Sequence, residues 1–125
     1  MKRTFLGLRT AIYNVPDIEK AKTWYNQILG LKPYFDEPFY VGFNVGGFEL
    51  GLVPQEGVLS QPGGVTVYWG VDDVEKTFHE LISAGATALE DPHNVGGDIV
   101  VATVKDPWGN PFGIIHNPQF KIEQD

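Results

Sequence analysis

The stretch Val15-Pro16-Asp17-Ile18-Glu19-Lys20-Ala21 decides the fold, because it recurs in altered form as Val71-Asp72-Asp73-Val74-Glu75-Lys76-Thr77. The two copies lie 56 residues apart (71 − 15). A β-rich run precedes each copy, and a glycine suited to ending a helix follows it, Gly30 in the first case and Gly85 in the second. The pattern predicts two similar half-domains, with a cleft on the pseudo-twofold axis that receives side chains from both.

Hydrophobic periodicity predicts a strand, a helix and three further strands in each half, hence an α+β fold made of two tandem βαβββ modules. Asp17 and Asp73 are the expected helix N-caps. The predicted strands cover residues 8–13, 33–37, 40–45 and 48–53 in the first half, and 65–71, 87–90, 99–104 and 112–116 in the second. We expect one domain over residues 1–125, with repeats at about 7–54 and 64–117 and a linker at 55–64.

Composition narrows the functional classes. Of the 125 residues, 42% are hydrophobic and 13% aromatic, which supports a packed core. The net charge of −7 disfavours nucleic acid as a partner. No apolar run approaches the roughly 20 residues that span a bilayer, so we expect no membrane partner and a cytoplasmic location. The absence of cysteine excludes thiolate metal sites and cysteine nucleophiles.

Two further motifs complete a family pattern: Trp24-Tyr25 followed by Leu29-Gly30-Leu31, and the turn Asp106-Pro107-Trp108-Gly109-Asn110-Pro111. With the repeated helix entry, they make the chain resemble the vicinal oxygen chelate superfamily from about residue 8 to about residue 117. That superfamily contains glyoxalase I, extradiol dioxygenases, fosfomycin-resistance enzymes and bleomycin-resistance proteins. The resemblance implies curved mixed sheets around a central cleft, helices on the outer face, and a homodimer.

Strand alternation predicts which side chains line the cleft, because successive residues of a strand point to opposite faces. Phe48, Leu50 and Trp69 fall on the faces expected to pack against helices. The opposite faces carry the predicted ligand-binding residues Thr10, Ile12, Glu49, Gly51, Thr66, Tyr68, Gly113 and Ile115. Trp108 is added to this set because its turn is expected near the end of a strand that lines the cleft.

The resemblance also implies where a metal would bind. Metal-dependent members place ligands at the positions that correspond to Thr10, Glu49, Thr66 and Gly113. Glu49 alone carries a side chain suited to a divalent ion, and the three histidines lack ligand spacing. We therefore expect no metal and no other cofactor.

Glu49 has two interpretations, and the sequence favours neither. It is a solvated carboxylate on a wet strand face, or a desolvated cleft carboxylate that acts as a catalytic base or anchors a ligand. The aromatic run Tyr34, Phe35, Phe39, Tyr40 and Phe43 is predicted to escape helix burial. It would line a ligand pocket or a dimer seam.

Two functions remain. The first is a glyoxalase- or bleomycin-resistance-like protein with a degenerate metal site that binds a small aromatic or cationic molecule. The alternative is a metal-dependent lyase, isomerase or dioxygenase with an atypical site that uses Glu49. A module that binds other proteins and no small ligand is a third possibility, favoured if the cleft is filled by its own side chains.

Overall fold

The computed structural model describes residues 8–55 and 66–120. The chain divides into two compact units, Met1–Leu59 and Ser60–Asp125. Each unit contains one helix and one four-stranded mixed sheet, which confirms the α+β class and the two βαβββ modules. Most of the predicted linker and the residue predicted to begin the fifth strand, Val65, lie outside the described residues.

In the first unit, the first and last strands are parallel neighbours. The strand order is β1-β4-β3-β2, and the remaining pairs are antiparallel. Helix α1 packs against β3 and β4. The elements are β1 (Thr10–Val15), α1 (Ile18–Leu29), β2 (Phe35–Glu37), β3 (Tyr40–Val45) and β4 (Phe48–Pro54).

The second unit repeats this plan. Its strand order is β5-β8-β7-β6, again with the first and last strands parallel. Helix α2 packs against the three later strands. The elements are β5 (Tyr68–Gly70), α2 (Val74–Ser83), β6 (Thr87–Asn94), β7 (Val100–Lys105) and β8 (Pro111–His116).

Both helices begin and end where the sequence predicts. The Asp17 side chain accepts hydrogen bonds from the amides of Glu19 and Lys20, each at 3.1 Å, and Asp73 caps α2 through the Lys76 amide. Gly30 ends α1 in the left-handed conformation, with φ at +69°. Helix α2 ends at Ser83 with Ala84 as its C-cap, and Gly85, with φ at +113°, follows the cap in a Schellman arrangement.

One face of the first sheet forms a fully apolar core against α1. Val41, Phe43, Leu50 and Leu52 are completely buried there. Burying a side chain of this size contributes roughly 1.5–3 kcal/mol. Phe43 was predicted to escape helix burial, and that prediction is wrong. Its strand position has the same parity as Val41, so it points towards α1.

Two other local predictions need correction. The strand predicted over residues 87–90 is longer in the structure, because β6 continues through Asn94, and register irregularities between Ala88 and His93 accommodate Pro92 within it. Phe48 was expected to be buried beneath the helix but is only half-buried, because it is the first strand residue after the Gly46-Gly47 turn. Within residues 8–55 and 66–120, neither helix is long and apolar enough to cross a membrane.

Candidate functional site

The face of the first sheet opposite α1 carries the predicted site residues of the first unit. Thr10 and Ile12 alternate along β1 with three buried residues, and Ile12 is 56% exposed. Register pairs Thr10 with Glu49 and Ile12 with Gly51, so all four lie on this face. The face, called here the exposed face, comprises Thr10, Ile12, Asn14, Phe35, Glu37, Tyr40, Gly42, Asn44, Glu49, Gly51 and Val53.

A two-residue turn sets which β3 residues join Glu49. Gly46 and Gly47 both have positive φ, +62° and +94°, as a two-residue hairpin turn of this type requires. The turn pairs Asn44 with Glu49 and Gly42 with Gly51. Because side chains alternate, Tyr40 therefore projects from the same face as Glu49.

Two tyrosines hold the Glu49 carboxylate. The Tyr34 hydroxyl donates to Oε1 of Glu49, and the Tyr40 hydroxyl donates to Oε2. Tyr34 is brought alongside by its backbone amide, which donates to the Gly42 carbonyl at 3.0 Å just before β2 begins. We call Tyr34, Tyr40 and Glu49 the tyrosine–carboxylate cluster. Glu49 is neither isolated nor fully solvated, since its residue is half-buried.

Two glycines make room for the cluster. A β-carbon on Gly51 would lie 2.7 Å from Cζ of Tyr40, far closer than carbon atoms approach without displacement. A β-carbon on Gly42 would meet Tyr40, Tyr34 and Glu49 at 3.3–3.4 Å, which is tight. The Tyr40 ring thus lies over Gly51, and both glycines form the floor beneath the tyrosine rings.

The tyrosines differ in their surroundings. Tyr34 is 64% exposed, whereas Tyr40 is half-buried, with its ring centroid 6.0 Å from that of Phe35. Burial raises the pKa of the Tyr40 hydroxyl above its ordinary value of 10.0. Tyr40 therefore keeps its proton, and stays a hydrogen-bond donor to Glu49, throughout the neutral range.

The second sheet carries Tyr68, Gly113 and Ile115 on the face opposite α2, whereas Thr66 precedes β5, which begins at Tyr68. Thr66 and Tyr68 are exposed, and Tyr68 pairs with Gly113 across β5 and β8. A β-carbon on Gly113 would lie 2.6 Å from Cδ1 of Tyr68, so the tyrosine ring covers the glycine. Ile115 is half-buried and pairs with Gly70.

A polar pair absent from the sequence predictions lies on the same sheet. The Thr103 hydroxyl donates to Oε1 of Glu90 at 3.3 Å, and Thr103 is 2% exposed although polar. Glu90 pairs with Thr103, Thr103 with Gly113 and Gly113 with Tyr68, so the four residues form one row across the second sheet. The exposed carboxylate of Glu90 satisfies the buried hydroxyl, which makes the pair structural.

Trp108 lies in the turn between β7 and β8 and on neither strand face. It is half-buried, and its backbone amide donates to Asp106 Oδ1 at 2.9 Å. Asp106 is 3% exposed and also accepts from the amide and side chain of Asn110, at 2.8 and 2.9 Å. Asp106 thus ties the turn together, and Trp108 is positioned by that turn.

The residues at the implied metal positions do not fit a metal ion. Thr10 and Glu49 are neighbours in the first sheet, and both Glu49 oxygens already accept from tyrosines. In the second unit, Thr66 offers only a neutral hydroxyl and Gly113 offers no side-chain donor. Across residues 8–55 and 66–120, no group of three or more His, Cys, Asp or Glu residues is arranged to hold a metal. One carboxylate without imidazole partners is a weak donor set for a divalent ion.

Two modules, each a βαβββ unit with its first strand parallel to its last, place the chain in the class of paired βαβββ proteins. The chain belongs to the glyoxalase/bleomycin resistance protein/dioxygenase superfamily, whose family model matches residues 7–114. This confirms the family predicted from the sequence motifs. Among curated proteins, none matches the chain.

Solved structures share the fold at low sequence identity. A glyoxalase-related enzyme from Fulvimarina pelagi is 22% identical, with 97% of this chain and 95% of that chain covered and a TM-score of 0.77. Lactoylglutathione lyase from Agrobacterium tumefaciens is 16% identical, with 96% and 100% covered and a TM-score of 0.74. A family enzyme from Burkholderia phytofirmans is 21% identical, with 86% and 95% covered and a TM-score of 0.73. At these identities the likeness establishes the fold and not the activity.

Proposed function

We propose that the protein binds a small organic molecule, partly aromatic or cationic, on the exposed face of the first sheet, without a metal. The tyrosine–carboxylate cluster carries this proposal. It places one negative charge and two phenol rings on a strand face floored by glycine, and Tyr34 is 64% exposed. Apolar contact and stacking would supply affinity, and Glu49 would orient a polar or cationic group.

The aromatic residues near β2 extend this surface. Phe35 is 40% exposed, and its ring lies 6.0 Å from that of Tyr40 and 6.1 Å from that of Phe39. A planar ligand anchored at Glu49 would find apolar rings on the edge-strand side. The degenerate metal positions support binding over chemistry, as in sequestration by a bleomycin-resistance-like protein.

A thermal-shift screen tests the binding proposal. We expect planar organic cations to raise the melting temperature of the wild type and to stabilise Glu49→Gln much less, because ligand binding to the native state raises its stability. Glu80→Gln removes the same charge from an exposed residue of α2, so it serves as the matched control. The proposal fails if no planar or cationic compound stabilises the protein, or if Glu49→Gln responds as Glu80→Gln does.

Metal analysis separates binding from the enzymatic alternative. We expect protein purified without chelators to hold no stoichiometric Fe, Mn, Ni or Zn, and EDTA to leave the melting temperature unchanged. A stoichiometric metal, with a fall of several degrees on adding EDTA, would favour a lyase, isomerase or dioxygenase in which Glu49 is a ligand or base.

We also propose that the chain forms a homodimer with twofold symmetry. Strand β2 is a sheet edge, and Phe39, 65% exposed, lies in the turn that follows it, so a partner can cover this end while Tyr34 and Phe35 stay open to the ligand. Exposed edges and aromatic patches are commonly covered by a partner. Light scattering should give twice the 13.9 kDa chain mass at micromolar concentration, and a monomer mass would contradict the proposal. The cytoplasmic location stays a prediction.

A further inference from the structure

The tyrosine–carboxylate cluster offers a ligand hydrogen-bond acceptors but no hydrogen-bond donors. An ionised carboxylate accepts hydrogen bonds and donates none, and each tyrosine hydroxyl has a single proton. Both of those protons are committed to Glu49, one to each oxygen. What the cluster offers a ligand is therefore the remaining lone pairs of four oxygen atoms, all of which are acceptors.

The charge of the surrounding face has the same sign. Among the exposed-face positions of β1 to β4, the ionisable acids are Glu37 and Glu49, and no position carries Lys, Arg or His. Lys22 lies elsewhere, paired with Asp36 and Glu19 at 3.1 and 3.0 Å. Asp36 pairs with the buried Val41, so its side chain lies on the α1 side of the sheet. Lys22, which binds Asp36, therefore does not neutralise the exposed face.

We propose that the cluster selects ligands through a cationic group rich in N–H donors, such as an amidinium, a guanidinium or a primary ammonium, on a flat apolar body. A carboxylate, a phosphate or a neutral carbonyl would meet lone pairs and negative charge, and would leave the desolvated oxygens without donors. This inference rests on the proposed function and narrows its ligand class from aromatic or cationic to aromatic and cationic.

The geometry assigns different tasks to the two tyrosines. Tyr40 is half-buried over Gly51, so its bond orients the carboxylate from the sheet side. Tyr34 is 64% exposed, so a ligand would reach the cluster from its side. Tyr40 is thus a positioning residue, and Glu49 with Tyr34 supplies the acceptors that a ligand would contact.

Three isosteric probes test the inference: benzamidine, which is cationic, benzamide, which is neutral, and benzoate, which is anionic. Isothermal titration calorimetry of the full chain should give at least tenfold tighter binding for benzamidine than for benzamide, and no measurable binding of benzoate. Raising the salt concentration should weaken the benzamidine complex, since an exposed ion pair is screened.

Variants supply the specificity readout. In Glu49→Gln, the ratio of benzamidine to benzamide affinity should fall from tenfold or more towards one, because the amide adds donors and removes the charge. Glu80→Gln should keep the wild-type ratio. A loss of packing alone would weaken the binding of benzamidine and benzamide equally and leave the ratio of their affinities unchanged. A change in that ratio therefore reports recognition by Glu49.

The outcomes are separable. If benzamide or benzoate binds as tightly as benzamidine in a manner that Glu49→Gln weakens, the ligand class is wrong while binding at this face stands. If Glu49→Gln prefers benzamidine over benzamide as strongly as the wild type does, the proposal that the cluster recognises the cation is overturned. If none of the probes binds, this inference fails, and the proposed function fails with it if the wider screen also finds no ligand.

Discussion

Gly51→Ala tests the site geometry without replacing any polar side chain, because the added β-carbon would collide with the Tyr40 hydroxyl oxygen and ring. The new β-carbon would lie 2.7 Å from Cζ and 3.0 Å from Cε1 of Tyr40, so the ring must move away from the sheet. The Tyr40 bond to Glu49 is then lost, and a hydrogen bond to a charged group contributes about 1.5–3 kcal/mol. Replacing a strand glycine by alanine recovers roughly 0.5–1 kcal/mol. We expect a net loss of about 1–2 kcal/mol in the free energy of unfolding.

Urea denaturation followed by tryptophan fluorescence measures this loss. Gly70→Ala is the matched control, because a β-carbon there meets nothing within 4 Å and should leave stability unchanged or slightly higher. In a Tyr40→Ala background the obstructing ring is absent, so Gly51→Ala should stabilise the fold by roughly 0.5–1 kcal/mol, and the cycle should show a coupling of about 1.5–3 kcal/mol. Additive effects, or a Gly51→Ala variant as stable as Gly70→Ala, would refute the placement of Tyr40 over Gly51.

Three further predictions concern stability. Asp106→Ala should cost about 2–4 kcal/mol in urea unfolding, because it leaves the donors of Trp108 and Asn110 without their acceptor; a loss below 1 kcal/mol would contradict this. Leu50→Ala should cost about 2–5 kcal/mol and half-buried Phe48→Ala clearly less, and equal losses would contradict the face assignment. Because the pKa of Tyr40 is raised in the folded state, its contribution to stability is fully present below pH 10 and is lost as pH rises through the folded-state pKa. The free energy of unfolding of the wild type should therefore fall more steeply above pH 10 than that of Tyr40→Phe. Parallel pH profiles for the two proteins would exclude the effect.

The sequence predicted the fold well where local chemistry determines it. Asp17 and Asp73 cap the helices as expected, because capping depends on residues within one turn of the cap. Strand alternation correctly placed Leu50 in the core and Thr10 and Ile12 on the opposite face. Parity is a property of the single strand, so it needs no knowledge of neighbours.

The candidate site was predicted only in part, because the contacts that form it cross strands. The sequence named Glu49 as a candidate, and its role stays a prediction, but the tyrosines that hold it were assigned only to a loosely defined aromatic region. The two-residue turn at Gly46-Gly47 implies that Tyr40 shares the face of Glu49, and that register was the signal that sequence reasoning missed. No comparable signal exists for Tyr34, which precedes β2 and reaches Glu49 through tertiary placement.

Phe43 and Phe48 show that strand alternation does not predict how deeply a side chain is buried. Both are aromatic strand residues, yet one is fully buried and the other half-buried. Phe43 lies in the middle of β3 beneath α1, whereas Phe48 begins β4 at the sheet end. Helix coverage along a strand depends on tertiary packing, which alternation does not contain.

Mapping the amide shifts of ¹⁵N-labelled protein during benzamidine titration tests the central claim most directly, since it reports where on the chain a ligand binds. The account predicts that the largest ¹H–¹⁵N shifts occur at Gly42, Glu49 and Gly51, and that these shifts vanish in Glu49→Gln but persist in Glu80→Gln. Shifts confined to other elements, or a map unchanged by Glu49→Gln, would contradict the claim that the tyrosine–carboxylate cluster is the binding site.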